Sequence, residues 1–239
     1  MSTRLRHEIT MSGPGKNALG AAMMNFLIDQ LREAGGRPVL LTGSGDAFSA
    51  GLNLKEVASL DGAEMLDFLR LLERCMTALY LYPGPTVALV NGHAIAGGAV
   101  LTVCCDYRVV TANPKARIGL NEVALGVRFP PRIMAILKQR LPPQHLASLI
   151  LGAGLVGPAE ALRLGLVDAV ADDPATAARA CLDAWSAHPA EAYAASKGDL
   201  RGTEAGLCAD EEEERFLQGA LTAWTSTALK QKIAAILAR

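Results

Sequence analysis

The chain has 239 residues, of which 51% are apolar, and its 23 basic and 24 acidic residues give a formal net charge of −1. This balance argues against a nucleic-acid-binding protein, which needs a clustered excess of Lys and Arg. It also argues against a disordered chain, because apolar residues are plentiful and the charges are mixed in sign. The length corresponds to one domain, or to one domain with an appendage.

The cysteines and histidines show no disulfide or metal pattern. The five cysteines include no Cys-x-x-Cys pair, which favours reduced thiols in a cytoplasmic protein. The four histidines lie far apart, so we expect no metal site. The N-terminus MSTRLRHEIT lacks the apolar core of a signal peptide. Residues 75–105 carry no charge, but Pro83-Gly84-Pro85 and Asn91 interrupt them. We therefore expect buried strand and helix there, and no membrane association.

The first predicted elements are a helix and a strand. Apolar residues recur every four positions from Leu19 to Leu31, with charged residues between them. This spacing predicts an amphipathic helix that ends at Gly35-Gly36. The apolar run 38–43, which turn residues follow, then predicts a buried strand.

The same alternation continues along the chain. A second helix is predicted over 65–79, and it has to end before Pro83. Residues 86–92 repeat the pattern of a strand followed by a turn. Two more strands are expected over 107–110 and 166–170. Short apolar strands that alternate with helices predict an α/β fold with a buried, largely parallel sheet.

From Pro174 onward the strand signal disappears. Helices are predicted over 175–187, 190–197 and 210–239. We therefore divide the chain into an α/β core, residues 1–173, and a helical C-terminal region, residues 174–239. The apolar side chains of this second region have to pack either on their own core or on a neighbouring subunit.

The glycine-rich segment 41–51 follows a predicted strand. Gly43 and Gly45 begin a dinucleotide-binding fingerprint, but Phe48 occupies the position of its third glycine. Ser49 lies in a sequence similar to the nucleophile elbow of hydrolases, but no triad acid and histidine follow it in a recognisable arrangement. Taken alone, the segment is best interpreted as a turn.

Small residues also follow the strand predicted over 86–92. Residues 91–100 lead into a buried helix without any bulky side chain, so free backbone N–H groups at the helix start can approach a ligand. Close helix packing would need the same small residues. His93 is interpreted as a packed turn residue.

Glu122 is the only ionisable residue in the apolar stretch 118–127. A carboxyl group among apolar neighbours has a raised pKa, and it can then act as both base and acid near neutral pH. The alternative is a glutamate that points into solvent from a loop.

Taken together, these segments resemble the crotonase superfamily, the enoyl-CoA hydratase/isomerase family. The resemblance covers most of the chain and rests on the order and spacing of its motifs. They are Asn17-Ala18-Leu19, 48–54, Asn91-Gly92 with Gly97-Gly98, 105–108, 118–122, 159–161 and 165–168.

The resemblance implies a core of repeated ββα units and a helical C-terminal region used for oligomerisation and for covering the active site. It further implies a homotrimer or a homohexamer. An acyl-CoA thioester would be the substrate, so CoA is part of the substrate and no separate cofactor is expected.

The resemblance also implies the site residues. The backbone N–H groups of Ala50 and Gly97 would form an oxyanion hole for the thioester carbonyl oxygen. Substrate would be bound by Ala50, Gly51, Leu52, Asn53, Leu54, Gly97 and Gly98. The candidates for contact with the CoA phosphates are Lys16, Lys230 and Lys232.

One position departs from the pattern of the hydratases. Their two glutamates, which hold and activate water, fall on Glu122 and on Val100, and valine cannot accept a proton. A single glutamate beside an oxyanion hole suits the shift of a double bond from 3-enoyl-CoA to trans-2-enoyl-CoA. The pattern is most similar to that of the Δ3,Δ2-enoyl-CoA isomerases of fatty-acid metabolism.

Two alternatives remain open. Glu122 alone could activate water, which would make the protein an enoyl-CoA hydratase or an acyl-CoA thioester hydrolase. The protein could also be a non-catalytic acyl-CoA-binding subunit. Residues 127–131 are interpreted either as part of the acyl pocket, lined by Arg128 and Phe129, or as a proline-stiffened surface turn.

Overall fold

The structure is a computed structural model, and it describes residues 5–238. The strands are β1 (His7–Met11), β2 (Val39–Gly43), β3 (Ala47–Ser49), β4 (Thr86–Val90), β5 (His93–Ile95), β6 (Tyr107–Thr111), β7 (Ile118–Gly119) and β8 (Ala169–Ala171). The helices up to β8 are α1 (Pro14–Asn17), α2 (Ala21–Ala34), α3 (Leu54–Ser59), α4 (Gly62–Tyr80), α5 (Gly97–Cys104), α6 (Glu122–Leu125), α7 (Pro131–Arg140), α8 (Pro143–Leu151) and α9 (Pro158–Arg163). The helices after β8 are α10 (Pro174–Ser186), α11 (Ala190–Arg201), α12 (Glu204–Leu207), α13 (Asp210–Trp224) and α14 (Thr227–Leu237).

The larger sheet is parallel throughout, with five strands in the order β1-β2-β4-β6-β8. Ile9 lies opposite Leu41, and Leu41 lies opposite Ala88. One face of this sheet packs on the main core, and the other face packs on α10 through Ala178 and Leu182. Because both faces are covered, the strands are apolar along their length, as the sequence predicted.

The smaller sheet is also parallel and has the order β3-β5-β7. The chain therefore follows a repeated path: a strand of the larger sheet, a strand of the smaller sheet and then a helix. This path occurs with β2, β3 and α3, with β4, β5 and α5, and with β6, β7 and α6. The predicted α/β fold of ββα units is confirmed.

The long helices α2 and α4 end where the sequence predicted, and α4 ends at Tyr80, before Pro83. Helix α2 ends at Gly35, which has a φ of 55° and donates its N–H to Leu31 and Arg32. Left-handed backbone of this kind is tolerated best by glycine. Helix α4 begins with a capping box between Asp61 and Glu64, in which each side chain accepts a backbone N–H of the other residue.

Two predicted elements differ from the structure. The strand expected over 166–170 is observed only as β8, because the amide of Leu166 caps α9 and Asp168 is bound by Arg108 through both backbone and side chain. The helix expected over 210–239 is broken into α13 and α14. Ser226 caps the second of them by accepting the N–H of Leu229.

The C-terminal helices pack on the core of their own chain. Phe216, Trp224, Leu229 and Ile233 belong to the main apolar cluster, and each is at most 7% exposed. The boundary between residues 173 and 174 and an oligomerising role for these helices stay predictions.

Helix α11 supplies a buried ion network to the core. Lys197 Nζ donates to Asp106 Oδ2 at 2.8 Å, and Arg201 donates to the other oxygen of the same carboxylate. Arg201 also donates to the carbonyl oxygens of Tyr80 and Cys104 near the ends of α4 and α5, so it joins three helices.

All five cysteines are free thiols. Within residues 5–238 no group of three or more His, Cys, Asp or Glu side chains is placed to hold a metal ion. No helix in this part of the chain is both long and apolar enough to cross a membrane.

Candidate active site

The smaller sheet brings the sequence motifs together. Strands β3, β5 and β7 are parallel neighbours, so the residues that follow them lie at one edge of the sheet. Ala50 follows β3, Ala96 follows β5, and Glu122 comes shortly after β7. The Ala96 N–H donates to the Gly119 carbonyl at 2.8 Å, which places the start of α5 beside the segment that leads to Glu122.

Two glycines allow these segments to approach one another closely. A Cβ on Gly51, which has a φ of 90°, would lie 2.7 Å from the Ile95 carbonyl oxygen and 3.4 Å from the Gly97 nitrogen. A Cβ on Gly98 would lie 2.3 Å from the Ser49 carbonyl oxygen. Only glycine therefore fits at either position without a shift of the backbone.

A cavity of about 580 Å³ opens at this edge of the sheet. Its walls are largely apolar and come from the core and from α13 and α14. The predicted site residues among its lining residues are Ala50, Leu52, Asn53, Leu54, Gly97 and Glu122. Gly51 and Gly98 do not line it, and their visible contribution is the close packing described above.

The Gly97 amide begins α5 and has no hydrogen-bond acceptor among the residues that the structure describes. The preceding Ala96 has φ 50° and ψ −124°, an unusual conformation for alanine, and its carbonyl accepts the N–H of Val100. Helix α5 is buried throughout, and its first residue, Gly97, lines the cavity. This amide can donate to an oxygen that develops negative charge in the cavity.

The Ala50 amide has a different environment. It donates to the Lys16 carbonyl oxygen at 3.0 Å. The two amides of the predicted oxyanion hole thus both lie at the cavity, but one of them already has an acceptor from the chain itself.

Glu122 is 8% exposed, and no charged side chain within residues 5–238 pairs with it. Burial raises its pKa to about 8, and a hydrogen bond from its own backbone N–H opposes this shift only in part. Its Oε2 atom accepts no hydrogen bond from the part of the chain that the structure describes. Among the described residues that line the cavity, Glu122 is the only carboxylic acid. The prediction that its pKa is raised agrees with this environment, and the solvent-exposed alternative is wrong.

Val100 lines the same cavity and is 1% exposed. Its side chain offers no proton acceptor at a position where the resemblance would place a second glutamate. The chemistry of this cavity therefore depends on one carboxyl group.

The predicted phosphate-binding lysines have varied surroundings. Lys16 Nζ pairs with Asp46 at 2.8 Å, and both side chains are exposed. Lys232 Nζ donates to the Ala124 carbonyl beside Glu122. Lys230 is exposed. The sequence analysis missed Lys55, a basic residue that lines the cavity.

Of residues 127–131, the first four line the cavity, as one of the two interpretations of this segment expected. Phe129 lines it and is 7% exposed. Arg128 also lines it, and its guanidinium group lies over the Phe216 ring at 5.4 Å from the centroid.

Two polar residues that hold the site were not predicted. The Asn17 side chain is buried and donates to the carbonyl oxygens of Ser44 and Ala47, both at 2.9 Å. The Ser49 hydroxyl is fully buried and donates to the Asn17 carbonyl at 2.8 Å. Ser49 is thus a positioning residue and not the nucleophile of a hydrolase. Asn17 belongs to the motif Asn17-Ala18-Leu19 that the sequence analysis noted, but its contacts with backbone carbonyls could not be predicted from that motif.

The ββα path and the three segments at one sheet edge define the crotonase fold. A family model described as enoyl-CoA hydratase/isomerase matches residues 7–227. The chain belongs to this family.

The similar proteins include both hydratases and isomerases. A putative enoyl-CoA hydratase of Thermus thermophilus is 38% identical over 157 residues, which are 64% of this chain and 60% of that protein. The human mitochondrial enoyl-CoA delta isomerase 1 is 31% identical over 196 residues, which are 79% of this chain and 65% of that protein. The chain thus matches less than two thirds of the length of these curated relatives.

The solved structures support the fold. The human mitochondrial delta3-delta2-enoyl-CoA isomerase superposes with a TM-score of 0.84, covering 98% of this chain and 93% of that one. Its sequence identity is 24%, so this likeness shows the fold alone.

Proposed function

We propose that this protein shifts a double bond, converting a 3-enoyl-CoA into the conjugated trans-2-enoyl-CoA. The observation that carries the proposal is the single carboxyl group of the cavity. Glu122 lies there without a charged partner among the residues that the structure describes, and the buried Val100 lines the same cavity. An isomerisation returns a proton to the substrate and needs one group that serves as base and then as acid.

The proposed reaction takes place in two proton transfers. The Glu122 carboxylate removes a proton from the α-carbon (C2) of the acyl group, and the electrons move through the double bond to give a dienolate. The carboxylic acid of Glu122 then returns the proton to the γ-carbon (C4). The C3–C4 double bond has become a C2–C3 double bond, and no atom has been gained or lost.

The negative charge of the dienolate collects on the thioester oxygen. The backbone N–H groups of Gly97 and Ala50 are the proposed donors to it. Each such donor typically contributes ~3–4 kcal/mol of transition-state stabilisation. The apolar walls disfavour the charged form of Glu122 and raise its pKa to about 8. A pKa near neutral pH suits a group that acts first as a base and then as an acid.

The reaction is tested with trans-3-hexenoyl-CoA in deuterated water. Absorbance of the conjugated enoyl thioester should rise, and mass spectrometry should show no added water. Any deuterium at carbon would measure how far the proton on Glu122 exchanges with solvent before it is returned. Conversion with no change other than isomerisation supports the proposal. An unchanged substrate at several chain lengths would contradict it and would favour a non-catalytic acyl-CoA-binding subunit.

Hydration is the second candidate, because the Thermus thermophilus relative is named a putative enoyl-CoA hydratase. In this reaction Glu122 would activate water without a second carboxylate. Incubation of trans-2-hexenoyl-CoA in water labelled with oxygen-18 separates the two reactions. Label at the β-carbon would establish hydration, and label in a released carboxylate would establish thioester hydrolysis.

We also propose that the protein forms a homotrimer or a homohexamer. The resemblance to the family supports this proposal, and the exposed apolar side chains of Val123, Leu151 and Leu162 (41%, 71% and 42% exposed) are candidates for the contact between subunits. Sedimentation at micromolar concentration would show a single monomeric species if this proposal is wrong.

A further inference from the structure

The Lys16 carbonyl is hydrogen-bonded to Ala50, one of the two amides proposed to bind the substrate. Its oxygen accepts the Ala50 N–H at 3.0 Å, whereas the Gly97 N–H has no acceptor among the residues that the structure describes. The segment that presents this carbonyl belongs to the cavity wall, which includes Pro14, Gly15 and Ala18. A backbone N–H makes one good linear hydrogen bond, so the Lys16 carbonyl and a thioester carbonyl compete for Ala50.

We propose that the Lys16 carbonyl is a built-in competitor of the substrate thioester and has to leave Ala50 before the oxyanion hole is complete. This inference rests on the proposed function, because it takes Ala50 as a thioester-binding amide. The substrate oxygen first meets the Gly97 amide and then replaces Lys16 at the second donor.

Several contacts hold the competitor in place. The Lys16 carbonyl and the Asn17 N–H belong to one peptide unit, and this N–H donates to the Gly13 carbonyl at 3.2 Å. The buried side chain of Asn17 anchors the segment, because it donates to the Ser44 and Ala47 carbonyls. The pair between Lys16 and Asp46 is exposed and adds little.

The backbone conformation of this segment is unfavourable, although its contacts hold the Lys16 carbonyl in place. Gly15, Lys16 and Asn17 have φ values of 68°, 58° and 60°. Left-handed backbone suits glycine but is unfavourable for lysine, because the Cβ atom approaches the following carbonyl oxygen. The competing carbonyl is thus held in a strained conformation, and this strain lowers the cost of displacing it.

A matched pair of variants tests the energetic part. Lys16→Gly and Lys16→Ala both remove the side chain and its pair with Asp46, but only glycine removes the penalty of the positive φ. The glycine variant should therefore hold its carbonyl on Ala50 more firmly. We expect it to bind butyryl-CoA roughly fivefold more weakly than the alanine variant in a calorimetric titration. Equal affinities, within twofold, would overturn the inference.

Crystal structures of the wild-type protein with and without butyryl-CoA test the geometric part. The expected result is a Lys16 carbonyl that contacts Ala50 in the free protein and a thioester oxygen at both Ala50 and Gly97 in the complex. A Lys16 carbonyl that stays on Ala50 in the complex, or that never contacts it, would overturn the inference.

Both tests use a saturated thioester with no double bond to shift, so their results are independent of turnover. Displacement of Lys16 together with a failed isomerisation assay would support this inference and contradict the proposed reaction. Isomerisation together with a Lys16 carbonyl that stays on Ala50 would support the proposed reaction and contradict this inference.

Discussion

Two buried carboxyl groups of this protein have opposite surroundings. Asp106, with 6% of its side chain exposed, lies where α11 meets the core, and Glu122 lies in the cavity wall. Asp106 accepts hydrogen bonds from Thr86, Tyr193, Lys197 and Arg201. Among the described residues, Glu122 accepts a hydrogen bond only from its own backbone N–H.

A buried acid can be assigned a role from the groups that surround its carboxyl oxygens. A carboxylate whose oxygens are all bound by donors of the protein has no free atom to offer a substrate, and its removal leaves buried cations without a partner. A carboxyl group without donors is easily protonated and deprotonated. Burial is common to both residues, so the neighbours and not the burial indicate which acid is available for chemistry.

The largest expected effect is on catalysis at Glu122. Glu122→Gln keeps the size of the side chain but cannot take up a proton, so kcat should fall roughly 10³-fold, within the usual range for a general acid or base. The affinity for butyryl-CoA should change little. Glu73→Gln is the matched control, because Glu73 is also buried with its pKa raised to about 7 by desolvation but does not line the cavity. Retained turnover in Glu122→Gln, or an equal loss of kcat in Glu73→Gln, would contradict the catalytic role of Glu122.

The next effect is on stability at Asp106. Asp106→Asn leaves Lys197 and Arg201 buried without a negative charge, which should lower the free energy of unfolding by about 3–5 kcal/mol in a urea titration. Asp67→Asn removes an exposed partner of Arg70 and should cost less than about 1 kcal/mol. The kcat of the Asp106 variant, per folded molecule, should be close to that of the wild type. A loss of less than about 1 kcal/mol would show that the network around Asp106 is not the structural counterpart of Glu122.

A second carboxylate in the cavity should allow water to be activated as well. Val100→Glu places an acid in the same cavity as Glu122, so water held between the two groups should add to trans-2-enoyl-CoA. We expect the ratio of hydration to isomerisation to increase at least roughly tenfold, measured by mass. Val100→Gln has the same size without the carboxylate and should not show this increase. A ratio that is equal in the two variants would show that the missing acid is not what limits hydration.

The pH dependence tests the role of Glu122 without any substitution. Because Glu122 has a pKa of about 8 and has to be ionised to act as a base, kcat/KM should rise about tenfold per pH unit below this value and level off above it. A rate that is constant from pH 6 to pH 9 would contradict the assignment.

The same raised pKa affects stability with the opposite sign. The folded protein holds the Glu122 proton more tightly than the unfolded chain, whose glutamate has a pKa near 4.5. The stabilising contribution is complete below this value and is lost as the pH rises toward 8. Relative to the wild type, Glu122→Gln should therefore gain thermal stability at pH 8.5 and lose this advantage near pH 5.

Much of the fold could be predicted because its signals are local. The spacing of apolar residues predicted α2 and α4, and short apolar runs predicted β2, β4 and β6. The strand expected at 166–170 was shortened by the bonds between Arg108 and Asp168. Such a contact joins distant parts of the chain, so no local pattern indicates it.

The site could be predicted only in part. The motif that contains Glu122 was recognisable, and so was the absence of an acid at Val100. The Lys16 carbonyl on Ala50 was not, because it is a backbone group and lysine has no preference for a positive φ. Asn17 and Ser49 were missed for a related reason, since their partners are backbone carbonyls that the sequence does not distinguish.

The proposed carbonyl-binding groups, the amides of Ala50 and Gly97, are part of the main chain and are present whatever side chains surround them. The group proposed to move protons is a side chain, which one substitution replaces. The two tasks are therefore separable in evolution: a mutation at 100 or 122 changes what happens to the bound thioester without removing the amides that would hold it. A scaffold of this kind can acquire a new reaction in one step and still recognise the same class of molecule.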